Sequence, residues 1–178
     1  MSTMIQATTA QATQAAPAST SAVQVIERKA PGYMKLYGDV LNQYLSLQSA
    51  QALTAVKLQL TARQVTALDC WMSKLQAGET PKQQHVSNTI NSAWPVNYGS
   101  QQTERLMWGL TRKLLLKAPI ANLTLDQLNS LHVSFYLEYS GDQVLVRDMA
   151  WDSKDYKCIY VTVHTYQKLG NMLQLVTA

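Results

Sequence analysis

Three histidines, two cysteines and a short cluster of aspartates are the residues of this chain whose types suit catalysis or metal binding. A hydrolase needs a nucleophile with a general base in reach. The histidines are His85, His132 and His164, and none stands near a G-x-S-x-G turn or a Cys/His signature. Alternation in the C-terminal third puts His132 and His164 on one sheet face, where the ordinary outcome is a surface pair. A metal site asks for ligands clustered as in H-E-x-x-H or C-x-x-C. Cys70 and Cys158 are far apart, each without a second ligand at such spacing, and read as buried free thiols in a reducing compartment. Asp148, Asp152 and Asp155 surround a turn but lack the glycine and terminal glutamate of a calcium loop, so they read as a solvated turn. Glycines scattered singly supply no phosphate loop. The expectation is a protein that is not an enzyme and uses no metal or cofactor.

Nucleic-acid chemistry has a better foothold. Residues 61–93 read as helix, glycine-containing turn, helix. The second helix presents Lys82, Gln83, Gln84, His85, Ser87, Asn88 and Asn91. Gln, Asn and Lys can read base edges in the major groove, where a helix-turn-helix places such a helix. Arg105, Arg112 and Lys113 would contact phosphates. This DNA-binding regulator is the alternative expectation, because the second helix carries little charge for anchoring phosphates. Tyr136 and Tyr160 on an exposed sheet face would offer stacking platforms, although tyrosine is also simply a good strand former.

The aromatic residues favour a different chemistry. Tyr33, Tyr37 and Tyr44 recur at helical spacing, and the chain has four tryptophans. Tyr, Trp and Arg dominate the energetics of protein interfaces. The expected contact residues are Tyr33, Tyr37, Tyr44, Trp108 and Arg112. The first expectation for function is therefore a non-enzymatic interaction or assembly protein. It would self-associate as a homo-oligomer or dock into a larger complex, a component of a virion, filament or mobile element being one concrete form.

These residues need elements to position them. Tyr33, Leu36, Tyr37, Val40, Leu41, Tyr44 and Leu45 mark a first amphipathic helix. Residues 50–60 suit a short strand or more helix. Thr61-x-x-Gln64 is a capping box, followed by an apolar face of Val65, Leu68, Met72 and Leu75 and a stop at Gly78. Thr80-Pro81-x-Gln83 restarts a helix that runs to about Ala93, and Trp94-Pro95 breaks it. A helix over 101–117 buries Leu106, Met107, Leu110, Leu114 and Leu115. Thr124-x-x-Gln127 caps a short one. Then the period falls from 3.6 to 2. Val133 to Tyr139, Val144 to Arg147 and Cys158 to His164 read as a three-stranded antiparallel meander, with 166–178 docking as a helix or a further strand. The fold class is α+β: about four to five N-terminal helices packed on a small C-terminal sheet. It is a single domain over 23–178 behind a low-complexity tail, 1–22.

Composition supports this reading. The chain has 178 residues, is 47% hydrophobic, and carries only 15% charged residues with a net charge of +4. Typical domains carry about a quarter charged residues; here 18 Gln with many Thr, Ser and Asn supply the polarity. The segment 1–22 has no charge at all and little to bury, so it is expected to be disordered. Basic residues gather in 101–120 (Arg105, Arg112, Lys113 and Lys117 against Glu104) and acidic ones in 121–150 (Asp126, Glu138, Asp142 and Asp148 against Arg147). No apolar run approaches the roughly 18–20 residues of a membrane helix, and no leader pattern is visible. The expected location is the cytoplasm or an assembled particle, with no membrane partner.

Overall fold

Side-chain caps set where several helices begin. In a computed structural model, residues 33–177 are described, with the side chains of 37–176. The expected tail, 1–22, lies outside the described residues. Helix α1 (Tyr33–Leu47) leads into α2 (Ala50–Lys57), where Ser49 Oγ accepts from the Ala52 amide at 3.2 Å. That cap decides residues 50–60 in favour of helix. At the start of α3 (Ala62–Gln76), Thr61 Oγ1 accepts from the Gln64 amide at 3.2 Å and Gln64 Oε1 accepts from the Thr61 amide at 3.0 Å. Each such cap contributes about 1 kcal/mol by satisfying amides the helix leaves open. The Thr124–Gln127 pair closes the same box at the head of α6 (Leu125–Leu131).

One expected start is corrected. Helix α4 (Gln83–Ala93) does not begin at Thr80-Pro81. Pro81 is buried, and Lys82 takes the N-cap position, its amide donating to His85 Nδ1 at 3.2 Å. The ring nitrogen at His85 takes the N3 role that the sequence pattern gave to Gln83. Helix α5 (Ser100–Lys117) is the central helix, burying Met107, Leu110, Leu114 and Leu115.

The sheet is wider than a three-stranded meander. Strands β1 (Asn122–Thr124), β2 (Tyr136–Ser140), β3 (Gln143–Asp152), β4 (Lys157–Leu169) and β5 (Met172–Thr177) form one antiparallel sheet in the order β1-β5-β4-β3-β2. Two-residue loops join β2 to β3 and β4 to β5. Gly141 (φ 58°) and Gly170 (φ 61°) supply the left-handed backbone such tight hairpins require. The architecture is α+β, with, among the described residues, six helices mostly preceding a five-stranded sheet.

A register shift in β3–β4 controls which side chains face inward. Val146 pairs with His164, but Arg147 pairs with Thr162, so Val163 is an extra residue in β4. Directly paired residues share a sheet face. On one side of this bulge His164 and Tyr166 point into the core with Val144 and Val146. On the other side Thr162 and Tyr160 point outward. Simple alternation would put Tyr160, Thr162 and His164 on one face, and one inserted residue separates His164 from the other two.

Among the described residues, only the inner face is covered, on the side of α5 and α6. Two long-range bonds tie it down, His164 Nε2 to the Leu115 carbonyl at 3.0 Å and Tyr166 Oη to the Ile120 carbonyl at 3.0 Å, and Tyr44 Oη, donating to the Ala118 carbonyl at 2.8 Å, ties α1 to the end of α5. Buried polar groups are tolerable because they bond in this way. Burial pushes the Tyr44 phenol up to about 12, against the opposing bond from Gln48. The Tyr166 phenol is raised too, by burial first and then by the Tyr44 phenol. Burial holds His164 below its usual 6.5, against the bond to the Leu115 carbonyl.

Candidate interaction surface

Strands β3 and β4 are longer than the sheet that holds them. Strand β2 pairs with β3 only over Gln143–Arg147, and β5 pairs with β4 only over Thr165–Leu169. Beyond those limits, among the described residues, Asp148–Asp152 and Lys157–Val161 pair only with each other. Within the described residues the result is a two-stranded ribbon with both edges open.

At its root the ribbon is fastened by Arg112. The guanidinium, on α5, meets both Asp148 oxygens at 2.7 and 2.6 Å and reaches the Ser134 carbonyl at 3.2 Å. It also lies 5.1 Å from the Trp108 ring centre and 4.8 Å from that of Phe135. Planar bidentate pairing and stacking on rings are what Arg does and Lys does not. One side chain thus joins the helical layer, the 132–135 turn and the first residue of the free ribbon.

Past the root, large apolar side chains face outward. Met149 is 62% exposed, Trp151 61% and Tyr160 56%, and Met149 stands opposite Tyr160 in the ladder. Trp151 stands opposite exposed Cys158, and the Tyr136 and Tyr160 rings lie 5.1 Å apart. These residues share one face and are continuous across it. At the tip, Tyr156 is 80% exposed and has φ 51°. Val161 lies exposed on the opposite side.

The expected site residues are distributed differently from the expectation. Tyr37 and Tyr44 are buried in the core, so they offer no area to a partner; helical spacing here marks the inward face. Tyr33 opens α1, but its side chain lies outside the described residues. Trp108 is 42% exposed and stands beside the ribbon root, while Arg112 is occupied in holding that root. Tyr136 and Tyr160 do stand together on an outward sheet face, but Met149 and Trp151 beside them were missed. These apolar residues do alternate in the sequence, but alternation alone is the ordinary mark of a face turned inward.

The nucleic-acid set is partly committed to structure. Gln83 donates to the Ser100 carbonyl, and Asn91 Oδ1 accepts from the Tyr98 amide at 2.7 Å, both holding the 94–100 loop. Lys82, Gln84 and Asn88 are exposed on α4; Arg105 is exposed and Lys113 half-buried on α5. The connection between α3 and α4, residues 77–82, is longer than the usual 3–4-residue turn of a helix-turn-helix.

The other candidates separate. His132 is not on a strand: it caps the C-terminus of α6 and is buried, with Nδ1 3.1 Å from the Leu128 carbonyl. His164 is buried on β4, so the expected surface pair does not exist. Asp148 belongs to the ribbon root, not to a solvated turn. Both cysteines are free thiols, but Cys158 is exposed rather than buried. Among the described residues, no three His, Cys, Asp or Glu side chains are grouped to hold a metal ion, and no helix is long and apolar enough to cross a membrane. Comparison with protein-family models, curated proteins and solved structures finds no match to the chain.

Proposed function

We propose that this protein is a non-enzymatic assembly component that docks through the free β3–β4 ribbon, onto copies of itself or into a larger complex. The outward face of Met149, Trp151 and Tyr160 carries this reading. An isolated two-stranded hairpin is marginal in water, and open strand edges are places where soluble proteins usually put charge or cover. Here those edges flank Trp, Tyr and Met, the side chains enriched in interface cores. A partner covering the face removes apolar area from water and completes a layer that the chain leaves open.

A charge-poor surface suits the same role. Neutral amides and hydroxyls are easier to desolvate at a contact than carboxylates or ammonium groups.

Sedimentation velocity across a wide concentration range tests the proposal. The expected result is a sedimentation coefficient that rises with concentration for the full chain and stays monomeric for a Met149→Ser/Trp151→Ser variant. A wild-type chain that remains monomeric at the highest concentration contradicts self-association. Of the base-reading residues it names, the DNA-reading alternative has only Lys82, Gln84 and Asn88 exposed at or on α4, and it predicts salt-sensitive binding to random duplex DNA.

A further inference from the structure

The ribbon tip and a groove at the opposite end of the same sheet form a complementary pair. Strand β3 runs from the turn at Asp142 to the turn at Ser153, so the two features lie at its two ends, about 30 Å apart at roughly 3.3 Å per residue. The groove, of about 460 Å³, lies between the start of α6 and the end of the sheet. Its apolar surface comes from Leu125, Val144, Met172 and Leu173, with Asp126, Asp142 and Lys168 also lining it and the Lys168 amide donating to the Asp142 carbonyl at 2.7 Å. Leu125 and Met172 are 42% and 41% exposed. Neither Asp126 nor Asp142 has an ion-pair partner among the described residues.

The tip has the matching features. Tyr156 is, among the described residues, the one non-glycine at positive φ. A tyrosine held there costs on the order of 1 kcal/mol or more, yet its ring faces solvent. Asp155 and Lys157 neutralise each other in an ion pair at 2.7 Å, and Asp152 Oδ1 accepts from the Lys154 amide. The Lys154 ammonium is left without an ion-pair partner, facing outward at the end of the ribbon.

We infer that the ribbon tip of one copy inserts Tyr156 into the Leu125–Met172 groove of a second copy, with Lys154 set against Asp126 and Asp142. This rests on the assembly reading above and names the partner as a second copy of the chain. The phenyl ring takes the apolar floor, and the phenol remains at the polar rim, as amphipathic aromatics do at contacts. The contact is heterologous, because tip and groove are different surfaces. Repetition then gives a ring if the rotation closes and a filament if it does not.

Complementation between two variants of the full chain tests this. Tyr156→Gly removes the ring while suiting the left-handed backbone, so the tip keeps its fold. Met172→Lys spoils the groove and repels Lys154. Each variant alone should associate roughly tenfold or more weakly than wild type, as when an interface anchor is lost. An equimolar mixture should form a finite 1:1 dimer, since one intact tip meets one intact groove. Thermal melts of both variants establish that they are folded. Wild-type association that both variants retain, or a mixture that stays monomeric while wild type assembles, overturns the tip-and-groove contact but leaves docking through the ribbon standing. A monomeric wild type overturns both.

Discussion

The outer face of the sheet changes character along two strands. Near the centre, its residues are mostly polar: Glu138 pairs with Arg147 at 2.9 Å, and Thr165, Gln167 and Gln143 stand around them, with Leu145 half-buried between Glu138 and Thr165. A few residues further along, on the same side of the same strands, the pattern is Met149, Trp151 and Tyr160. The covered half thus has the polar-out face of an antiparallel sheet that meets water. Among the described residues, the free half has apolar residues outward with no layer over them. The difference shows that exposure alone does not decide composition here. On the proposed reading, the apolar half is the one that a partner covers.

Arg112 and the Val163 bulge mark the boundary. The bulge adds twist where the ribbon leaves the sheet, and Arg112 clamps Asp148 at the same level. Behind this boundary, the buried Tyr44 and Tyr166 hydroxyls donate to backbone carbonyls.

The comparison breaks most severely if the shared core is damaged. Leu114→Ala, at a fully buried position on α5, should lower stability by roughly 2–5 kcal/mol in urea unfolding. Arg112→Ala comes next. It leaves Asp148 without its partner in a site about four-fifths buried, and should cost roughly 2–3 kcal/mol. Its sharper effect is on the ribbon: amide exchange should accelerate over Asp148–Thr162 more than over Gln143–Arg147. Equal acceleration in both halves would refute the clamp.

A pH titration separates core from ribbon with a smaller effect. Burial holds His164 below 6.5 in the folded state, so below that pH the unfolded chain binds a proton the native chain refuses. Stability is fully present above about pH 6.5. It falls as the pH drops toward the lowered folded value, by at most about 1.4 kcal/mol per pH unit for one proton. His164→Gln should flatten that slope in chemical unfolding series between pH 7 and 5. Persistence of the slope assigns it to other groups.

Much of this architecture is legible in the sequence where the deciding interaction is local. The Thr61–Gln64 and Thr124–Gln127 boxes need only three-residue spacing, and both form. Helical faces such as Met107, Leu110 and Leu114 follow from period. What escapes is decided by distant or single-residue events. Strand β1 is three residues long, so its pairing with β5 has no periodic signature. The Val163 bulge flips the face of every β4 residue beyond it without any compositional mark. Tyr44 and Trp151 are both large aromatics at regular spacing, yet one fills the core and the other faces water. Which occurs depends on where α5 ends, a tertiary fact.

The smallest stability effects fall on the ribbon itself, where they sharpen the contrast. Tyr156→Gly should be neutral or stabilising by up to about 1 kcal/mol, since it relieves a left-handed tyrosine. Met149→Ser should shift stability by no more than about 0.5 kcal/mol, as at other exposed positions, while weakening association measurably in sedimentation. A large loss of stability from Met149→Ser would mean that the ribbon face is already covered within one copy.

Cys158 gives the central claim its most direct test, because it is an exposed free thiol beside Trp151 on the ribbon face. Its alkylation rate should be followed by peptide mass spectrometry at low and high concentrations of the unmodified chain. Docking through the ribbon predicts that Cys158 reacts rapidly when dilute and becomes protected as concentration rises, while Cys70, half-buried against Thr89 in the helical layer, keeps one rate throughout. Association detected by sedimentation under the same conditions, with no change in Cys158 reactivity, would contradict it.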